Sequence, residues 1–347
     1  MSGVSKSARA AVSWDTRWQA EIGDHIIALA WSPDGLVLAA AAVGGPITLC
    51  DGMTGRIRHV LPGHGFGTTA LSWKPQSGIL ASSGQDGKVK LWNVTTGQLH
   101  MTLEGGAAWV ERVTWSTDGS FLASAAGKKV RLWNTAGQLV RDYGNHPSTV
   151  ADVQWKPGTL ELASAAYGQI ALFHPDHAEP VRSLKWKGSQ LVLAWSPDGK
   201  HMATGDQDST VHFWVTKTGE DLMMSGYPMK VRELSWDYTS RFLATGGGAV
   251  PCVWDVSGKG PAGTKAHQFE AHQDKVTALA FQHAGPILAS AGADGLVALW
   301  QPGKQKRALA QATYRVAITQ IAWSPNDQRL ALGTESGIVA VHALQGF

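Results

Sequence analysis

Short segments that alternate apolar and polar side chains recur along the chain, each followed by a turn signal. Residues 276–281 (VTALAF) alternate with period two, which is typical of a half-buried strand. Comparable segments run into WSPDG at 31–35 and 195–199, WSTDG at 115–119 and WSPND at 323–327. Proline or threonine followed by aspartate and glycine favours a tight turn. Each segment is therefore predicted to be a strand that folds back into a second strand.

The segments align on an aromatic residue near the end of the first strand. Their spacings are 42, 42, 40, 40, 41, 45 and 42 residues, close to the period of 40 to 45 expected for a four-stranded propeller blade. The aligned residues are Trp31, Trp73, Trp115, Trp155, Trp195, Trp236, Phe281 and Trp323. Eight repeats are therefore predicted.

Two further strands can be placed within each repeat. The second strand reads LAS or LAT in most repeats, and its small residues allow neighbouring sheets to approach closely near an axis. A DG turn follows in 84–89 and 292–297, the dipeptide suited to a two-residue hairpin. A third strand ending in LW and an outer fourth strand complete the unit. We label these strands a, b, c and d.

The last repeat ends without room for its own strand d. Residues 17–25 (RWQAEIGDH) resemble the strand d that precedes the other repeats, so the N-terminal strand is predicted to complete the last blade. Pairing the two termini in one blade would remove two open sheet edges. The sequence thus predicts an all-β, closed propeller of eight four-stranded blades. Seven blades are the alternative, if the sixth repeat with its 45-residue spacing departs from blade geometry.

Composition and charge support an all-β chain and indicate no particular class of partner. The 347 residues are 44% hydrophobic and 16% charged, with 40 glycines and 16 tryptophans, which favours an all-β chain. The two cysteines have no CxxC partner. The net charge is only +3, and the sequence contains no block of five or six like charges. We expect an N-terminal tail over 1–13 and one domain over 14–347. We also expect a cytoplasmic monomer without cofactor, bound metal, nucleic-acid partner or membrane contact.

Two repeats carry the same four polar and aromatic residues with identical offsets of 18, 22 and 28. The sets are His64, Ser82, Asp86, Trp92 and His272, Ser290, Asp294, Trp300. With the Trp-Asp dipeptide at 254–255, these residues resemble the WD40 family. The AWSPDG style of the repeats is similar to bacterial WD40 proteins.

The resemblance implies that each set is a structural hydrogen-bonded network in which the imidazole bridges the carboxylate and the hydroxyl. Histidine, serine and aspartate are also the side-chain types of a hydrolase triad. A catalytic site is not normally repeated around a ring, so the structural interpretation is favoured and no catalytic residue is predicted.

The resemblance also implies that partners bind where the d–a and b–c loops surround the axial channel. Family binding positions carried over to this chain give the candidates His25, Trp109, Glu111, Lys230, Arg232 and Lys275. Trp109 and Arg232 have the composition of an interface hot spot. The lysines suggest a protein or peptide partner with an acidic patch, which Glu111 would oppose. In the alternative interpretation these residues are a solvated rim and Trp109 covers a neighbouring blade.

A non-enzymatic scaffold for protein–protein interaction is the leading functional hypothesis. The alternative is a metal- or small-ligand-binding propeller that uses loop histidines such as His25, His174 and His177, the last two flanking Asp176. An enzyme acting at the channel ranks last, because the inward positions of strand a are mostly small or apolar.

Overall fold

The regular structure of this chain consists of β-strands throughout the part that is described. The computed structural model describes residues 13–144, 146–258 and 260–345. Within these ranges, antiparallel strands form eight four-stranded sheets. The predicted all-β, eight-bladed propeller is therefore confirmed. The predicted tail lies outside the described residues except for Ser13, at which the first strand begins.

We number the strands in chain order and the blades by the order of their strands a. Blade 1 contains β2 to β5: Ile26–Trp31, Val37–Ala42, Ile47–Asp51 and Ile57–Leu61. Blade 2 contains β6 to β9: Thr68–Trp73, Ile79–Gly84, Lys88–Asn93 and Gln98–Glu104. Blade 3 contains β10 to β13: Arg112–Trp115, Phe121–Ala126, Lys129–Asn134 and Leu139–Tyr143. Blade 4 contains β14 to β17: Val150–Trp155, Leu162–Ala166, Gln169–Phe173 and Arg182–Lys185.

The second half of the ring repeats this plan. Blade 5 contains β18 to β21: Gln190–Trp195, His201–Asp206, Val211–Val215 and Asp221–Met224. Blade 6 contains β22 to β25: Leu234–Trp236, Phe242–Thr245, Cys252–Asp255 and His267–Gln268. Blade 7 contains β26 to β29: Val276–Phe281, Leu288–Gly292, Leu296–Trp300 and Ala310–Thr313. Blade 8 contains β30 to β32, Ile318–Trp323, Arg329–Thr334 and Ile338–Gln345, with β1, Ser13–Glu21, as its fourth strand.

Pairing of β1 with β32 closes the ring. The register runs antiparallel from Ser13 opposite Gln345 to Glu21 opposite Ile338, with one irregularity between Thr16 and Trp18. The prediction that the N-terminal strand completes the last blade is confirmed. It also explains why β32 is not an open edge at the end of the chain.

The sixth repeat keeps all four strands despite its longer spacing. Its strand d, β25, has two residues, and the connection from β24 to β25 runs from 256 to 266. Extra length is therefore accommodated outside the ladder, since loops tolerate insertions at low entropic cost. The alternative of seven blades is wrong for this reason.

The aligned tryptophans link neighbouring repeats around the axis. The first strands of neighbouring blades contact one another in sequence, and β2 also contacts β30, which places strand a innermost. The indole N–H groups of six of these strands donate to a carbonyl in strand a of the preceding blade at 3.0–3.2 Å; the donors are Trp31, Trp73, Trp155, Trp195, Trp236 and Trp323. Each large ring thus covers an interblade interface while its polar atom is paired.

Two kinds of loop share one face of the ring. Residue 85 in the b–c turn of blade 2 donates its backbone N–H to the carbonyl of Gly67 in the preceding d–a loop at 2.9 Å. The same bond recurs from Val43 to His25, from Ala293 to Lys275 and from Glu335 to Ala317. We call the surface formed by these d–a loops and b–c turns the channel face.

Candidate functional site

The two repeated four-residue sets lie in blades 2 and 7, and their side chains are hydrogen-bonded in the same order. In blade 2, His64 Nδ1 lies 2.8 Å from Asp86 Oδ1, and His64 Nε2 lies 2.8 Å from Ser82 Oγ. Trp92 Nε1 donates to Ser82 Oγ at 2.8 Å. The network ties the d–a loop to strands b and c of its blade.

Blade 7 has the same arrangement. His272 Nδ1 lies 3.2 Å from Asp294 Oδ1, and His272 Nε2 lies 2.8 Å from Ser290 Oγ. Trp300 Nε1 donates to the Ser290 oxygen at 2.8 Å. Asp294 also accepts the backbone N–H of Gln273 at 2.8 Å.

The ionisation states of the blade 2 network follow from its burial. Desolvation of the buried ring holds the pKa of His64 below its ordinary value, although Asp86 acts in the opposite direction. Burial raises the pKa of Asp86, but the hydrogen bond from His64 and further contacts outweigh it, and the net shift is downward. A neutral imidazole beside a carboxylate donates through Nδ1, so Nε2 accepts the Ser82 hydroxyl proton.

This burial also bears on the hydrolase interpretation. The hydroxyl groups of Ser82 and Ser290 are fully buried, and each already accepts an indole N–H. A nucleophilic hydroxyl must reach a substrate carbonyl at about 3 Å. The arrangement therefore has the residue types of a triad without an accessible nucleophile.

Removal of the central hydroxyl tests how strongly the network holds its blade. We expect Ser82→Ala to lower the free energy of unfolding by about 2–3 kcal/mol, because the buried His64 and Trp92 each lose a partner. Ser124→Ala in blade 3 is the matched control, since Ser124 is equally buried but accepts only the Trp133 indole at 3.3 Å. Urea unfolding of both variants measures the difference. An equal loss in both would contradict a special contribution from the histidine network.

Other blades contain only part of this set. In blade 4, His146 Nε2 lies 2.9 Å from Ser164 Oγ, but the imidazole Nδ1 meets the Lys128 carbonyl and Phe173 replaces the tryptophan. In blade 8, His342 occupies the tryptophan position and is hydrogen-bonded to Trp14 of β1 and to Tyr314 Oη. Burial lowers the pKa of His342 to about 4, so this imidazole is neutral at pH 7.

Blade 5 lacks the histidine and contains a different buried polar cluster. Trp186 replaces it and packs on His212 with ring centroids 3.8 Å apart. His212 Nε2 lies 3.6 Å from Asp206 Oδ2, and His212 Nδ1 lies 3.0 Å from Asp221 Oδ2. Desolvation, reinforced by Asp208, raises the pKa of Asp206 to about 8. Asp206 is therefore largely protonated inside the blade at neutral pH.

The six predicted binding residues are distributed around the channel face rather than gathered in one pocket. Trp109 and Glu111 share the d–a loop before blade 3, whereas Lys230 and Arg232 share the loop before blade 6, three blades further along the ring. Lys275 lies in the next loop, before blade 7, and His25 in the loop before blade 1. The ring thus brings Arg232 and Lys275 into neighbouring loops and keeps Trp109 apart from them.

The exposure and charge of these residues differ. The indole of Trp109 is 54% exposed, while Glu111 and His25 are half-buried. Lys230, Arg232 and Lys275 are exposed, and within the described residues none of them forms a salt bridge. The half-buried Glu233 lies beside Arg232, and its pKa is raised by burial. One arc of the face therefore presents unpaired positive charge.

The structure also places exposed apolar residues on this face that the sequence patterns did not single out. The most prominent is Phe66, which is 89% exposed and has a φ of 65°. Val43, Tyr167 and Met229 are also exposed in channel-face loops. A bulky residue between two glycines in a loop, as in HGFG, is the signal that could have drawn attention to Phe66.

The candidate metal ligands lie on the opposite face, in the c–d turn of blade 4. His174 Nδ1 lies 3.4 Å from Asp176 Oδ2, and the His174 and His177 ring centroids are 6.0 Å apart. Tyr143 Oη donates to the carbonyls of both histidines. Over the described ranges, no three histidine, cysteine or acidic side chains are grouped closely enough to hold a metal ion.

A ring of eight four-stranded sheets, joined by indole hydrogen bonds between neighbouring blades, defines a β-propeller of the repeat type. The model of the WD domain, G-beta repeat family matches residues 55–93, 97–134, 168–215 and 263–301. These four segments confirm that the chain contains WD40 repeats, the family that its His-Ser-Asp-Trp sets resemble.

Curated relatives match only part of the chain. Cell division cycle 20.1, cofactor of APC complex, from Arabidopsis thaliana is 28% identical over 196 residues, which are 51% of this chain and 42% of that protein. THO complex subunit 3 from Arabidopsis thaliana is 26% identical over 159 residues, which are 45% of this chain and 49% of that protein. The chain thus matches less than half the length of either relative.

A solved structure matches almost the whole ring. The computationally designed Ika8 protein has a TM-score of 0.80 and 26% sequence identity, covering 93% of this chain and 97% of the designed one.

The described part of the chain contains no helix with the length and apolar character needed to cross a bilayer.

Proposed function

We propose that this chain is a non-enzymatic scaffold that binds a protein or peptide partner through its channel face. The observation that carries the proposal is the set of exposed cations in neighbouring loops, Lys230, Arg232 and Lys275, which have no ion-pair partner in the described structure. Unpaired charge on a rigid surface steers and orients a partner of opposite sign. An acidic patch on the partner is the complementary chemistry.

The exposed indole of Trp109 adds a second type of contact. Tryptophan and arginine are over-represented among residues that contribute most to binding energy, and a rigid strand-anchored loop lowers the entropic cost of using them. The names of two relatives describe a cofactor of one complex and a subunit of another. These names support a partner-binding function by analogy with related propellers.

Other features of the proposal rest on the sequence. We propose a monomer in the cytoplasm that needs no cofactor and contacts neither nucleic acid nor membrane. The bacterial character of the repeats also remains a prediction, and the relatives described above come from a plant. The metal- or ligand-binding alternative is tested by elemental analysis of protein purified without a histidine tag.

Affinity purification from the native organism tests the scaffold proposal. We expect a partner recovered with the wild type to be lost with the double variant Trp109→Ala, Arg232→Glu, whose thermal stability should match the wild type because both side chains are exposed. Mass spectrometry of the recovered proteins measures the loss. Met53→Ala, at an exposed apolar residue on the opposite face, is the control and should retain the partner. Retention of every partner by the double variant would place binding elsewhere.

A further inference from the structure

Phe66 combines two unfavourable features that rarely occur together. Its side chain is 89% exposed and its φ is 65°, in the left-handed region that favours glycine. The other described non-glycine residues with positive φ are polar, namely Gln76, Ser209, Ser240 and Asp327. Backbone strain that persists in a structure is often associated with a binding or switch function.

The corresponding loop of blade 7 shows that the blade does not require this arrangement. Two residues after the network histidine, that loop has Asp274, whose carboxylate accepts the backbone N–H of Lys275 at 2.6 Å. Asp274 is not among the residues with positive φ. A polar residue with ordinary geometry is therefore compatible with the same histidine network, and the fold does not explain Phe66.

The Phe66 loop is held firmly on its neighbours. His64 is anchored by Asp86 and Ser82, and the Gly67 carbonyl accepts the N–H of Gln85 at 2.9 Å. A Cβ on Gly67 would lie 2.8 Å from the Val43 carbonyl oxygen, so the backbone there packs directly against the b–c turn of blade 1. The loop that carries the exposed ring is thus fixed by hydrogen bonds and backbone packing.

Trp109 lies in the next d–a loop, which also contacts the b–c turn of blade 2. Gly105 donates its N–H to the Gly87 carbonyl at 2.8 Å, and Val110 donates to the Gly84 carbonyl at 3.1 Å. The loops that carry Phe66 and Trp109 therefore both bond to the turn over 84–87. We call the exposed side chains of Val43, Phe66 and Trp109 the aromatic arc.

Charged side chains lie beside the aromatic arc. Asp86, in the turn between the two aromatic residues, is already bonded to His64 and lies 3.4 Å from Lys90 Nζ. Lys128, in the next b–c turn, is exposed and has no ion-pair partner among the described residues. A Cβ on the neighbouring Gly127 would lie 3.4 Å from Ala107, which places that turn against the Trp109 loop. An apolar surface thus ends at an unpaired cation.

We propose that the aromatic arc and Lys128 bind an extended peptide segment of a partner protein, with an aliphatic or aromatic side chain on Phe66 and Trp109 and a carboxylate on Lys128. This inference rests on the proposed scaffold function and identifies the chemistry of the partner segment. Rigid aromatic anchors contribute contact area at low entropic cost, and the lysine gives direction to the bound segment.

Selection from a phage-displayed library of random dodecapeptides on immobilised full-length protein tests the proposal. The selected peptides should share an apolar residue followed within a few positions by aspartate or glutamate. For a selected peptide carrying a fluorophore, anisotropy should show binding weakened at least about tenfold by Phe66→Gly, the loss typical of a hot-spot residue. The same substitution should raise the melting temperature, because glycine relieves the positive φ.

Charge reversal isolates the contribution of Lys128. Lys128→Glu should weaken the acidic peptide, and a peptide with lysine in place of its carboxylate should bind Lys128→Glu better than the wild type. Met53→Ala on the opposite face is the control and should leave binding unchanged. Selected peptides without the apolar–acidic pattern, or unchanged binding by Phe66→Gly, would overturn the inference.

The two proposals fail in different ways. If Phe66→Gly retains every peptide and partner while Trp109→Ala, Arg232→Glu loses a partner, the scaffold function stands and the aromatic-arc inference falls. If neither variant alters any partner or peptide, both proposals fall.

Discussion

Replacing Trp18 by alanine is expected to lower the free energy of unfolding by about 3–5 kcal/mol, the range for truncating a buried tryptophan. Trp18 of β1 is buried in a core cluster with Ile26, Trp31 and Val341, and its indole N–H donates to the Gly52 carbonyl at 3.2 Å. Gly55, with a φ of 73°, approaches the ring so closely that a Cβ there would lie 2.5 Å from it. The cavity left by removal of the indole would therefore be bordered by this backbone, which relaxes only in part.

The same variant should weaken closure of the ring. Trp18 lies in the strand that covers the edge of β32, so loosening β1 exposes a row of backbone donors and acceptors to other chains. Urea unfolding followed by tryptophan fluorescence measures the stability, and size-exclusion chromatography detects association. Trp109→Ala is the control, because an exposed tryptophan should change stability by no more than about 0.5 kcal/mol. Equal midpoints for the two variants would show that β1 contributes little to closure.

Replacing Asp206 by asparagine is expected to stabilise the protein, increasingly as the pH rises from 5 to 9. Asp206 is fully buried, and its pKa is raised from 3.8 to about 8 by desolvation and by the nearby Asp208. Between these values the folded chain binds a proton that the unfolded chain has lost, so wild-type stability falls with increasing pH. Well above pH 8 the loss is complete, and the variant should be more stable by on the order of 6 kcal/mol, about 1.4 kcal/mol for each unit of the pKa shift.

Asparagine keeps the size and hydrogen-bonding capacity of the protonated acid beside His212 and Thr210, so the packing should change little. Urea unfolding of both proteins at several pH values measures the divergence. Asp255→Asn is a control of opposite sign, since the Arg241 guanidinium lowers the pKa of Asp255 to about 2 and the ionised form is the stabilising one. Parallel pH profiles for Asp206→Asn and the wild type would contradict a raised pKa in the folded state.

Several features of the architecture could be predicted because they depend on short-range patterns. Period-two segments, Asp-Gly turns and the aligned aromatic residues are local, and their spacing alone predicts eight blades. Residues 17–25 resemble the strand d that precedes the other repeats, and this resemblance predicted closure by the N-terminal strand. The identical spacing of His64 and His272 to their partners led to the WD40 family without any structural information.

Sequence analysis predicted less about the channel face. Family positions led to Trp109 and Arg232, but Phe66 is not one of those positions, and no pattern of apolar residues indicates a positive φ. Trp186 takes the place of the network histidine in blade 5, but its packing on His212 beside the buried Asp206 depends on contacts between separate strands and a loop. The sequence could not show which lysines are paired, because partners such as Lys90 and Asp86 are recognised only from distances.

The sequence by itself determined the blade count and the order of strands within a blade, because the repeat period, the side-chain alternation and the turn motifs are visible in the order of residues. Only the tertiary structure decided which charges on the channel face are unpaired, where Asp206 is desolvated and how Phe66 is exposed. Exposure, pKa and ion pairing depend on contacts between loops about forty residues apart, and the closed ring creates those contacts.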